Sequence, residues 1–331
     1  MRDFQTKVEI PVSECGIDYR HNILLMGSCF ADHIGHKMSE SGFNVCTNPF
    51  GVLYNPVSVA VACKRLLSGE PFSEGDLFYY NGVYSSFSHH GSFSKPAADE
   101  ALEGMNDALI AAAEHLRKTD FLIITFGSAY IYYFKENAKA VANCHKRPEA
   151  DFVRRRISAN DIAKEWMDVI AGLLRLNPSL QVIFTVSPIR HFRDGAHQNQ
   201  LSKATLLLAE QELTEIFPEN VSYFPAYELM MDELRDYRFY ADDMVHPSTL
   251  AVEYIWERFC GTYMDKDMHN QMSEVHSINK ALNHRELNTN SKIYKTFLRQ
   301  TLAKIERLKA KNPYICLSKT EKELLERIGK Q

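Results

Sequence analysis

The chain has 331 residues, of which 45% are apolar and 24% charged, and its formal net charge at pH 7 is −4. That supports a large core in one large domain or two smaller ones, and it leaves no global basic footprint for a nucleic-acid partner. Apolar runs such as 121–125 and 182–186 are far too short to span a membrane.

The opening residues, Met1 to Lys7, carry charge on both sides of a polar stretch and lead into no apolar signal core, so the expected compartment is the cytoplasm. Seven scattered cysteines, at 15, 29, 46, 63, 144, 260 and 316, form no C-x-x-C pair; reduced thiols, mostly buried as small hydrophobes, are expected. The apolar run 23–26 predicts a buried strand, Gly27 a turn, and Ser28 the start of a helix to about Ser41. A hydroxyl there meets unpaired backbone N–H groups and the positive end of the helix dipole, which suits a nucleophile; the same residue type is also a common helix cap.

Gly42 ends that helix, and 43–46 predicts a second strand. The turn-rich stretch 47–56 is long enough to reach over a strand end. A helix follows over 57–67, then an irregular insertion, 72–93, dense in aromatics, Ser and His, which reads as a rim or lid. Next come a helix over 98–118 and a strand over 120–126, apolar on both faces as a central parallel strand is. The alternation repeats with helix 157–176, strand 181–187, helix 199–217, strand 221–224, and a helix from Pro247 to about Met264. Residues 267–331 are charged and helical in pattern, with Ile293, Phe297, Leu298, Leu302, Ile305 and Leu308 on one stripe. They are expected to pack on the sheet layers or to mediate association.

This order predicts an α/β fold, a three-layer, doubly wound parallel sheet of the flavodoxin-like kind with a C-terminal helical extension, divided at 1–265 and 266–331. Ligands of such sheets bind outside the strand C-terminal ends at the switch point, where the loops at 27–28, 48–51, 127–128 and 187–191 would converge.

Asp243 and His246 are three residues apart, so a turn would let the carboxylate hold one imidazole nitrogen and leave the other free. A hydroxyl nucleophile needs such a base, and the base needs such an orienter; Ser28, His246 and Asp243 supply the three roles. Pro247 suits the first residue of the next helix. The plainer reading of His246 is a capping or core imidazole.

Gly27-Ser28-Cys29-Phe30-Ala31 resembles the signature of the GSCFA domain family, a bacterial group related to the SGNH (GDSL-like) hydrolases. The resemblance runs from about 20 to 265 through Asn48-Pro49-Phe50-Gly51, Gly127-Ser128-Ala129-Tyr130-Ile131-Tyr132, Asn143-Cys144-His145-Lys146, Ser187-Pro188-Ile189-Arg190-His191 and Asp243-Met244-Val245-His246-Pro247. It implies a serine-dependent hydrolase or acyltransferase acting on an O-acyl, for instance O-acetyl, ester of a small molecule or carbohydrate. Ser28 would be the nucleophile, Asp243 and His246 its partners, and the N–H groups of Ser28 and Gly51 the oxyanion hole. One departure stands out. The SGNH third block, G-x-N-D, is here Gly127-Ser128-Ala129-Tyr130, without the amide donor; Ser128 and Asn143 are the substitutes at hand. Loss of one donor costs about 10²–10³ in turnover, so a catalytically lapsed binding or assembly protein is the alternative.

His89, His90, His145 and His191 lack the spacing of a zinc site, and no phosphate loop occurs, so no metal or cofactor is expected. His145, Arg190 and His191 are expected beside the substrate, with Arg190 and Lys146 gripping an anion or a sugar. Cys29, a rival nucleophile, would begin the first helical turn and point inward, and Tyr130, Tyr132 and Tyr133 read as wall packing or a stacking surface.

Overall fold

In the computed structural model, which describes residues 6–283 and 292–329, the apolar runs build a five-stranded, wholly parallel sheet. The chain runs β1 (Asn22–Gly27), α1 (Cys29–Glu40), β2 (Asn44–Thr47), α2 (Pro56–Ser68), β3 (Phe78–Tyr80), β4 (Val83–Ser85), α3 (Ala98–Leu116) and β5 (Phe121–Phe126). It continues through β6 (Tyr130–Phe134), β7 (Ala140–Val141), β8 (Phe152–Arg156), α4 (Ala159–Leu176), β9 (Gln181–Val186), α5 (Gly195–Ile216), β10 (Val221–Tyr223) and a single turn, α6 (Ala226–Glu228). Four helices close it: α7 (Thr249–Tyr263), α8 (Lys266–Asn283), α9 (Lys292–Lys311) and α10 (Ser318–Gly329).

The sheet order is β10-β9-β5-β1-β2, which reverses direction between β1 and β5, the flavodoxin-like arrangement. Gly27 pairs with Thr125 at that reversal, so the chain leaves β1 for α1 at the switch point. Side chains of one strand alternate between faces. Ile23, Leu25, Phe121 and Ile123 join a core with α1 and α7, while Leu24, Met26, Leu122 and Ile124 join one with α2, α3, α4 and α5. This makes the three layers.

The C-terminal helices are continuous with the first of those cores. Val275, Ile278, Leu298, Ile305, Leu308 and Leu324 are buried with Ile34 and Met38 of α1 and Ile255 and Phe259 of α7. The Cys316 N–H donates to the Gly42 carbonyl at 2.8 Å. Within the expected stripe Phe297 and Leu302 are half-buried, and the Ile293 side chain lies outside the described residues.

Four local features differ from the sequence expectation. The insertion 72–93 contains an antiparallel hairpin, β3–β4, and residues 130–156 form a separate antiparallel sheet, β7-β6-β8. The charged run Val153-Arg154-Arg155-Arg156 masks its strand character, because the arginines are accommodated by stacking: Arg154 lies 4.0 Å over Tyr130 and Arg155 4.3 Å over Tyr133. Helix α5 begins at Gly195, ahead of the expected Asn199, through a polar turn without apolar periodicity. Pro247 is not the first helical residue of α7: Ser248 is the cap, its Oγ accepting the Ala251 N–H at 3.3 Å. All seven cysteines are free, and among the described residues no helix is long and apolar enough to cross a membrane.

Candidate active site

Gly27 turns the chain at φ +135°, where a Cβ would stand 2.1 Å from the Thr125 carbonyl oxygen, so only glycine fits. Ser28 follows as the N-cap of α1, its Oγ accepting the Phe30 N–H at 3.3 Å and its own N–H donating to Thr125 O at 3.1 Å. The residue is fully buried. Cys29 is half-buried, and burial, followed by the negative charge of Asp32, raises its thiol pKa, which keeps it protonated and a poor rival.

The loop after β2 is tied to this turn. Asn48, in the left-handed region at φ +43°, accepts the Gly27 N–H on Oδ1 at 2.8 Å and donates from Nδ2 to Asp32 Oδ1 at 2.5 Å. Gly51 has φ +76° and donates its N–H to the Asn48 carbonyl at 2.7 Å; a Cβ there would stand 2.3 Å from His90 Cβ. After β5, the N–H groups of Gly127 and Ser128 both reach the Tyr54 carbonyl, at 2.8 and 2.9 Å. Gly127 is adjacent to the serine: a Cβ on it would be 3.5 Å from Ser28 Cβ.

These bonds revise the expected oxyanion hole. An amide N–H carries one proton, and those of Ser28 and Gly51 are already given to Thr125 and Asn48 within the loops. The Ser128 hydroxyl pairs with Ser202 Oγ at 3.3 Å and accepts the Tyr130 N–H at 3.1 Å. Asn143 Oδ1 accepts the His145 N–H at 2.8 Å, in a turn where His145 and Lys146 both have positive φ, +48° and +59°. His145 Nε2 pairs with Ser86 O at 2.8 Å, and its ring packs edge-on to Phe78. Asn143 thus shapes the 143–147 turn, and His145 secures it to the 86–89 segment.

Asp243 and His246 form the pair that their spacing predicts. Asp243 Oδ1 accepts the N–H groups of His246 and Val245, each at 2.9 Å, and Oδ2 accepts His246 Nδ1–H at 2.6 Å. These bonds hold the Asp243 carboxyl down to about 2. Nε2 of His246 carries no bond to Ser28: the histidine side chain is 46% exposed and the serine is covered. The loop that carries the pair nevertheless lines a cavity with Arg190 and Phe192, which follow β9 at the same sheet edge. Burial lowers the pKa values of His33, on α1, and His191, after β9.

Helix α5 contributes groups that the sequence reading passed over. Lys203, 1% exposed, donates from Nζ to the carbonyls of Gly127 at 2.8 Å and Ser187 at 2.7 Å, tying together the ends of β5 and β9. Burial lowers its pKa to about 7, and burial raises that of Glu210, two turns along the helix, whose carboxyl oxygens have no partner. One turn before Lys203, Asn199 is 3% exposed; its Oδ1 accepts the His191 N–H at 2.9 Å and its Nδ2 has no partner. Ser202, beside them, accepts the Ala129 N–H at 2.8 Å. Polar residues at 199, 202 and 203 on a stripe completed by Leu206 are a readable signal: this face packs on the loops after β5 and β9.

His191 stands edge-on to Tyr54 at 5.9 Å, its Nε2 buried without a partner and its pKa lowered to about 4 by burial. His89 lies elsewhere, fully buried among Phe50, Phe72 and Phe93. Among the described residues no group of three or more His, Cys, Asp or Glu could hold a metal ion.

Sheet order, the capped serine at the switch point and the Asp–His pair above the same edge define a doubly wound α/β protein with its candidate site at the strand C-terminal ends. More particularly, the chain belongs to the GSCFA family, whose model matches residues 22–259, and residues 275–330 match the GSCFA domain protein, C-terminal domain. No curated protein matches it. Among solved structures, a carbohydrate esterase family 3 from Talaromyces cellulolyticus aligns at 9% identity and a TM-score of 0.35, covering 78% of this chain and 99% of that one. An acetyl xylan esterase, Est2A, from the rumen bacterium Butyrivibrio proteoclasticus aligns at 12% identity and a TM-score of 0.37, covering 76% of this chain and 64% of that one. Likenesses this loose carry no activity over to this chain.

Proposed function

We propose that this protein is a serine-dependent acyl-transfer enzyme, an esterase or O-acyltransferase, that acts on an O-acyl ester of a carbohydrate in the cytoplasm. The reading is supported by the Asp243–His246 pair, whose loop lines one cavity with Arg190 and Phe192 beyond β9, and by Ser28, which caps α1 at the switch point. Ser28 Oγ attacks the ester carbonyl while His246 Nε2 takes its proton; the tetrahedral adduct then expels the alkoxide, which His246 reprotonates. Water or a sugar hydroxyl, deprotonated by the same nitrogen, next attacks the acyl-serine and restores the hydroxyl. Asp243 keeps Nδ1 protonated and so leaves Nε2 as the base. In this cycle the 241–247 loop, exposed at Asp242, Asp243, Met244 and His246, moves His246 onto Ser28. We assign the oxyanion donor that the β5 loop lacks to Asn199, whose unpartnered Nδ2 lies one helical turn before the Lys203 tether to the strand ends.

The test is hydrolysis of p-nitrophenyl acetate together with labelling by a fluorophosphonate. Turnover and a label on Ser28 are expected, both lost in Ser28→Ala and both kept in Cys29→Ala. A folded protein with neither would favour the second reading, a binding or assembly protein; the full burial of Ser28 and the committed loop N–H groups are what speak for that.

A further inference from the structure

Beside the Asp243–His246 pair opens a cavity of about 490 Å³, within the range of small-ligand sites, about 300–1,000 Å³. Its walls include Arg190, Phe192, Tyr237, Tyr240, Asp243 and Met244. Three of these, Phe192, Tyr237 and Met244, are among the large apolar side chains that the fold leaves exposed, and Tyr237 is 77% exposed. Exposed rings gathered at a pocket are costly to leave in water and offer flat faces to a ligand. Tyr237 and Tyr240 stand 6.3 Å apart between ring centroids.

Among the described residues Arg190 is the cation of this cavity without a salt bridge. Arg235 pairs with Asp232 at 2.8 Å and Asp243 with His246, while the Asp236 carboxylate accepts the Arg238 backbone N–H as a cap. The Arg190 guanidinium lies 4.7 Å over the Phe192 ring, its Nε is buried without an acceptor, and it has no carboxylate partner among the described residues. A guanidinium held flat and unpaired matches a planar or tetrahedral oxyanion, which it can grip with two parallel N–H bonds.

We propose that this cavity binds the alcohol portion of the ester, a saccharide bearing an anionic group, with the sugar ring against Tyr237 and Tyr240 and the anion on Arg190. That the bound saccharide is part of an ester rests on the acyl-transfer reading; that it is an anionic saccharide rests on the cavity. The shared chemistry is a carboxylate or phosphate on a sugar. Its source is separated by titrating the full-length protein calorimetrically with glucuronate, glucose 6-phosphate and glucose.

At least one anionic sugar is expected to bind about tenfold or more tighter than glucose, the worth of one charge-assisted bond. Tightest binding by glucuronate assigns a carboxylate, and by glucose 6-phosphate a phosphate. Arg190→Gln should reduce the preference to about twofold or less, and Tyr237→Ala should weaken all three sugars together. Equal binding of the three, no binding of any, or an undiminished preference in Arg190→Gln overturns the proposal; the wild-type comparison needs no variant to fold. Binding of these unacylated sugars requires no turnover. A protein without esterase activity that still prefers the anion refutes the acyl-transfer reading alone, and an active esterase without the preference refutes this one alone.

Discussion

His89 shows what a buried imidazole does to stability. Both ring nitrogens lack partners, and burial depresses its pKa to about 3, against about 6.5 in an unfolded chain. The unfolded state therefore binds a proton that the native state refuses as pH falls below 6.5, and stability is lost from there towards pH 3. His89→Phe, set among Phe50, Phe72 and Phe93, should abolish that loss; between pH 6.5 and 5 the wild type should give up about 2 kcal/mol more than the variant in urea unfolding. Lys203 works in the other window. Its native pKa, about 7, lies below the unfolded value, so the unfolded state binds more protons above pH 7 and stability rises towards pH 10. Relative to Lys203→Met, the wild type should gain up to about 2 kcal/mol between pH 7 and 9, measured the same way. Asn199→Ala should lower kcat for an ester about 10²–10³-fold with little change in KM, as loss of a transition-state donor does. A parallel rise in KM, or no loss of kcat, would remove Asn199 from the oxyanion site.

Single glycines and caps decide the elements that hold the site. In Gly27→Ala the new methyl group would meet the Thr125 carbonyl at a backbone angle that side chains rarely adopt, so β1 and β5 must part at their ends. A fall in melting temperature and loss of any Ser28-dependent turnover are expected together. Ser248→Ala removes the cap of α7, at a cost of about 1 kcal/mol, with the 241–247 loop directly upstream; a denaturation midpoint equal to wild type would show that the cap carries no weight. The strands of the parallel sheet and the helices between them were legible because their periodicity is local. Strands β6 and β8 were not, because their stability comes from pairing and arginine–tyrosine stacking between segments about twenty residues apart.

Across the whole molecule, the helices after Met264 share one core with α1 and α7 rather than standing apart. Leu298, Ile305 and Leu308 are as buried as Ile34 and Phe259. Removing residues 265–331 would therefore expose apolar faces of α1 and α7. The shortened chain should bind a hydrophobic dye and unfold at a lower temperature; an unchanged melting curve would show that the extension is energetically separate.

Gly27-Ser28-Cys29-Phe30-Ala31 and the strand–helix alternation were enough to place the chain in its family and its fold class, because short-range pattern and turn chemistry determine both. The Asp243–His246 contact was equally legible, being made within one turn. Which N–H groups remain free around Ser28, how far His246 stands from it, and how Asn199 and Lys203 reach the ends of β5 and β9 were decided only by the tertiary structure. Each depends on hydrogen bonds between loops far apart in the chain: an amide that a motif marks as a donor is unavailable once a neighbouring loop has taken its one proton.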